Sequence, residues 1–191
     1  SVDAIMDDFY TKAFGPAKVP MKRYYERWFS KQKVSDRTLA LAFNDLAQAE
    51  ALAQGNQKGL ERIRHIQYYL RYLWLWNRGL DKLTLDELKA FYSFTTRIRS
   101  LYVVIYGEVE GALRSELKRR GLTDAGIDAL ANYTPPSPEE ARAWLNEALA
   151  AFGGVIAVDV PSINPYEIPL TALNATAPPL SPFTSMGYSH T

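Results

Sequence analysis

Cysteine is absent from the 191-residue chain, and histidine occurs only as His65 and His190. The first absence removes disulfides, thiolate nucleophiles and every cysteine-based zinc site. The second leaves too little for a di-iron bundle, which needs two inward Glu-x-x-His pairs besides its other carboxylates. A Ser–His–Asp arrangement would draw on the same two histidines, and no serine sits in a nucleophile elbow. No glycine-rich loop has phosphate-binding spacing; Gly153-Gly154 reads as a helix stop. No cofactor, no metal and no catalytic residue is therefore expected on this chain.

Charge of one sign is also lacking. Lys and Arg together number 22 against 21 Asp and Glu. A nucleic-acid binder shows a basic excess, so nucleic acid is not an expected partner. The basic run Lys118-Arg119-Arg120 precedes Gly121, where cations complement the negative end of a helix dipole. No apolar run is long enough to span a bilayer; the nearest, Leu101 to Tyr106, is far too short. No signal peptide is visible, and the chain opens Ser1-Val2-Asp3. A processed or excised piece of a longer protein is the expectation.

What the chain does hold is apolar material, 47% of its residues with 13% aromatic, ample for a single core. Ile5, Met6, Phe9, Tyr10 and Ala13 recur at helical spacing, which predicts a helix over residues 2–14. Gly15 then suits a left-handed C-terminal position, and Pro16 can open the next helix, where no N–H is needed. Met21, Tyr24, Tyr25 and Trp28 give that second helix a strong apolar face. Ser35 reads as an N-cap before a third helix with Leu39, Ala42, Phe43, Leu46 and Ala49 inward. Gly55 closes it and Asn56 caps a fourth, running to about Arg78.

Thr84-x-x-Glu87 and Ser137-x-x-Glu140 are capping boxes, in which hydroxyl and carboxylate satisfy free amides reciprocally. The first predicts one long helix reaching Lys118, with Leu101–Tyr106 apolar all round and therefore central. The second predicts a helix through about Ala151, and a shorter helix is expected from Thr123 to Ala131. Beyond Gly153 six of the eleven prolines crowd into the last 38 residues. Such a segment cannot be helical, yet Ile163, Tyr166, Ile168 and Leu170 are too apolar for a disordered tail. The fold expected is an all-α bundle of about six or seven helices, residues 1–152, with an extended proline-rich strap, residues 153–191, packed on it.

The fourth helix carries two apolar stripes. Leu60, Ile63, Ile66, Leu70 and Leu73 form one; His65, Tyr69, Tyr72 and Trp76 form the other. A helix apolar on two sides lies between layers or faces a partner. The second stripe is thus a candidate binding surface, joined by Trp28 or Trp74, although ordinary core with satisfied polar tips is the usual home of such a stripe. The carboxylate pairs Asp7-Asp8 and Glu108-x-Glu110 point to different sides of their helices, so neither converges on one bond as a glycosidase requires.

"DDFYTKAFGPAKVPMKRYYERW" resembles a stretch in a family of mostly bacterial, mostly uncharacterised proteins that pair a glycoside-hydrolase-like barrel with a C-terminal helical region. The matching residues are Phe9, Phe14, Gly15, Pro16, Ala17, Met21, Tyr24 and Tyr25. The alanine-rich helix, short break and Arg/Tyr-rich helix of residues 40–76 are similar too, so the resemblance covers about residues 3–78. It implies a non-catalytic accessory domain of a larger carbohydrate-active or carbohydrate-binding protein, secreted or periplasmic. Catalytic carboxylates would then lie in the barrel, and the partners implied are that barrel domain and a saccharide. A free-standing protein–protein interaction module is the alternative.

Overall fold

A computed structural model describes residues 1–30 and 32–157. They form an all-α bundle: α1 (Val2–Phe14), α2 (Lys18–Phe29), α3 (Asp36–Leu52), α4 (Gln57–Asn77), α5 (Leu85–Ile98), α6 (Tyr106–Arg119), α7 (Asp124–Asp128) and α8 (Pro138–Ala157). Short 3-10 turns at Gly15–Ala17 and Arg99–Leu101 complete the path. The expected strap lies outside the described residues.

Cap chemistry explains where these helices start. Ser35 and Thr38 form a reciprocal capping box, as do Thr84 and Glu87. Asn56 Oδ1 accepts from the Gly59 amide, and Ser137 exchanges bonds with Glu140 in both directions. Between α1 and α2 the chain turns at Gly15, whose φ of 53° is cheap only without a Cβ. Pro16 falls in the 3-10 turn rather than opening α2, while Pro20 sits buried in the first turn of α2, where its missing N–H is no loss.

Two apolar clusters share α4 and α8. The first gathers α1, α2, α3, the inner face of α4 and α8, with Phe14, Met21, Leu39, Phe43, Leu46, Ile63 and Leu70 at its centre. α3 is its axis: Leu39, Ala42, Leu46 and Ala49 are fully buried at helical spacing. The second holds Leu83, Leu88, Phe91, Tyr92, Leu113 and Leu117 under α5, α6 and α7, and reaches back to Tyr68 and Leu75 of α4. Arg71 joins the two. Its guanidinium carbon lies 5.0 Å from the Trp144 ring centre and 5.6 Å from that of Phe94, while Nη1 donates to Glu147 at 2.9 Å.

α3 also buries two carboxylates. Asp45 accepts from Arg23 Nε at 2.9 Å and Arg27 Nη2 at 2.7 Å, clamping α2 to α3. Glu50 accepts from Gln67 Nε2 at 2.9 Å and from Arg142 at 3.1 Å, tying α3 to α4 and α8. Both are satisfied structural acids, as buried carboxylates must be.

Two further sequence expectations give way. The helix from Thr84 does not reach Lys118: it stops at Ile98, and Tyr102 takes a left-handed conformation with φ 53° and ψ 30°. Leu101–Tyr106 is accordingly a corner and not a central helix, with Tyr102 91% and Ile105 73% exposed. The break lets α6 fold back to bury Val109, Leu113 and Leu117. The consecutive β-branched residues Val103, Val104 and Ile105 lower the cost of leaving the helix. α8, in turn, continues through Gly153-Gly154 to Ala157 rather than ending near Ala151. Glycine weakens a helix by only about 1 kcal/mol per residue, and a helix anchored by Leu145, Ala148 and Phe152 can carry it.

Candidate docking groove

α2 places four aromatic residues on one flank. Tyr24 with Trp28, and Tyr25 with Phe29, lie four residues apart and form two rows side by side along the helix. Tyr24 points into the core, while Phe29 is 63% exposed. Tyr24 meets both Tyr25 and Trp28 edge-to-face, with ring centres 5.5 and 6.1 Å apart. Tyr25 reaches Phe9 of α1 at 6.1 Å and Phe29 at 6.0 Å. Such T-shaped and tilted contacts hold rings in place, so this flank is a braced wall.

The outer face of α4 stands opposite. Two hollows of about 640 and 480 Å³ share Tyr25, His65 and Ile66 in their linings. The larger runs along α1 past Ile5, Phe9 and Phe14 and reaches Arg62 on α4. The smaller lies between α2 and α4 and includes Trp28, Phe29, Tyr69 and Leu73, with Val34 and Val103 at its edges. Together they make one aromatic groove across α1, α2 and α4.

Polar groups in this groove are few. Asp8 is committed to Lys12 at 2.7 Å. Arg62 donates through Nη1 to the Ala13 carbonyl at 2.7 Å, closing the end of α1. His65 lies exposed with its ring centre 6.3 Å from that of Tyr68. Burial raises the pKa of the Tyr24 and Tyr25 phenols, most strongly at Tyr24, and so favours their protonated, hydrogen-bond-donating form.

The four residues of the second α4 stripe divide. His65 and Tyr69 line the groove. Tyr72 and Trp76 lie outside its lining and extend the row, with Tyr69–Tyr72 centres 6.3 Å apart and Tyr72–Trp76 5.7 Å. Tyr72 leans on Phe91 of α5 at 6.1 Å and is half-buried, whereas Trp76 is 38% exposed. Trp28 joins the groove; Trp74 does not, being packed in the core against Phe43 and Phe152. Sequence reasoning missed Tyr25, Phe29, Val34 and Val103. The available signal was the width of the α2 aromatic stripe, broader than one buried seam needs.

Comparison with known proteins finds no matching family model, no matching curated protein and no matching solved structure. The functional reading therefore rests on the groove. Among the described residues no group of three histidines, aspartates or glutamates could hold a metal ion. Likewise, none of their helices is long and apolar enough to cross a membrane. Glu61 bonds Gln57 at 3.0 Å instead of engaging His65. Asp7 pairs with Lys18 and Asp8 with Lys12, so the adjacent aspartates serve two separate surface ion pairs.

Proposed function

We propose that this chain is a non-catalytic helical module whose aromatic groove docks a protein partner. The observation that carries the reading is the chemistry of the lining. Braced aromatic and aliphatic walls open to solvent, and the few polar groups include no converging pair of carboxylates. Apolar side chains of a partner gain about 25 cal/mol for each Å² removed from water in such a groove. A saccharide needs several polar groups around each ring, which the smaller hollow does not offer beyond His65 and the phenol and indole tips.

The resemblance to barrel-containing bacterial proteins supports one version of this role: an accessory domain that buttresses its own barrel. The row Tyr69, Tyr72, Trp76 favours a second reading, since flat rings in series suit the faces of a sugar chain. Site-specific photo-crosslinking separates the two. A benzophenone side chain at Tyr69, in the groove, should capture a discrete protein of the source cell. One at Tyr133, exposed but outside the groove lining, should not. Equal capture from both positions would sink the docking reading. Binding to a glycan panel that Trp76→Ala abolishes would replace it with the saccharide reading.

A further inference from the structure

The lining specifies more than an apolar occupant. Of its cations, Lys12 is already neutralised by Asp8. Arg62 is exposed, and the one hydrogen bond it makes among the described residues goes to a neutral carbonyl. No carboxylate among the described residues pairs with it, and the sole acid of the lining is the committed Asp8. The groove thus has one unmatched positive charge at the end beside α1 and an aromatic, uncharged stretch toward Leu73.

Backbone chemistry narrows the occupant further. The walls are helices whose N–H and C=O groups, apart from the end turns, are paired within each helix. They offer no sheet edge on which an extended peptide could build a ladder. A partner buried here must satisfy its own backbone, and an α-helix does that internally. Along α4 the lining runs from Arg62 to Leu73, about 16 Å or three helical turns at 1.5 Å per residue.

From this we infer that the groove takes an amphipathic α-helix of about three turns, with apolar anchors on one face and a carboxylate placed to meet Arg62. The inference rests on the docking reading above and deepens it. Apolar anchors at i, i+4 and i+7 follow the aromatic wall, and the acidic residue fixes which end of the helix lies beside α1. A basic residue at that place would be repelled.

Display of a randomised library of helix-forming peptides, about 18 residues long so that a helix is populated in isolation, tests it on the immobilised 191-residue chain. The wild-type pool should be rich in three apolar anchors at helical spacing with Asp or Glu near one end. Arg62→Gln keeps a donor for the Ala13 carbonyl, so it should fold normally while weakening those peptides by about fivefold. Arg62→Glu should move the selection to Lys or Arg. A pool no more acidic than the starting library, or one dominated by proline-rich extended sequences, overturns the inference. If such peptides still depend on Tyr69, judged by loss with Tyr69→Ser, the docking reading stands without it. Absence of any enriched peptide, together with no crosslink from Tyr69, removes both.

Discussion

Replacing Asp45 by alanine should loosen the wall of the groove from behind. The Asp45 side chain is only 4% exposed and holds Arg27, itself 14% exposed, at 2.7 Å, with Arg23 at 2.9 Å. These bonds fasten α2, which carries the aromatic wall, to the buried axis α3. Coulomb attraction here only offsets the desolvation of the charges, so the pair as a whole adds little net stability. Removing one partner is different, because it leaves the other charge buried without compensation, at a cost of about 3–5 kcal/mol. Arg23 still has Gln48 as acceptor, so the penalty falls chiefly on Arg27. For a chain of this size that corresponds to a fall in Tm of about 6–20 °C. Asp45→Asn keeps an acceptor and should cost less, about 1.5–3 kcal/mol for a bond to a charged group. Arg27→Met combined with Asp45→Leu should recover most of the loss. Urea unfolding of the wild type and these three variants measures the losses. A cost below about 1 kcal/mol for Asp45→Ala, in the range of an exposed ion pair, would refute the reasoning.

Other consequences follow from single residues. Ile63→Ala, at a fully buried position, should lose about 2–5 kcal/mol, because a cavity adds to the lost transfer energy; Tyr69→Ser, on the other face of α4, should lose far less, and equal losses in urea unfolding would contradict the two-faced reading. Tyr102→Gly should raise stability by up to about 1 kcal/mol, since a left-handed L-residue is strained and a 91% exposed ring gives up little burial; a lower urea midpoint would contradict this. Arg97 and the Ser137 amide hold the Glu140 carboxyl down to about 2, and Arg119 and Arg120 do the same for Glu116. A depressed folded pKa stabilises above the ordinary value of 4.5 and is lost as pH falls toward about 2, so the Tm should drop across that window, and Glu140→Gln should flatten part of the slope.

The sequence spoke clearly where local chemistry decides structure. Ser35, Asn56, Thr84 and Ser137 mark helix starts because an N-cap needs only neighbouring residues to act. It was silent where tertiary packing decides. Between Thr84 and Gly107 there is no Gly or Pro, and the β-branched run Val103-Val104-Ile105 weakens the helix only slightly, so little local marks the corner at Tyr102. That break exists because α6 gains more by packing on α5 than one continuous helix would. The burial of Asp45 and Glu50 has no local sign in an alanine-rich helix, because their partners lie on other helices far along the chain. Of the groove lining, His65 and Tyr69 were legible as members of the second stripe of α4, with Trp28 named beside them. The rest was not, because a helix sequence displays its faces without saying which remain uncovered.

The central claim, that an exposed aromatic groove binds a partner, is tested most directly by calorimetric titration of the protein crosslinked from position 69. The 191-residue chain and its Phe29→Ser/Tyr69→Ser variant would be compared, both sites being substantially exposed. The account predicts an affinity at least about tenfold weaker for the variant, about 1.4 kcal/mol, with a nearly unchanged Tm. Equal affinity for the two proteins would contradict it.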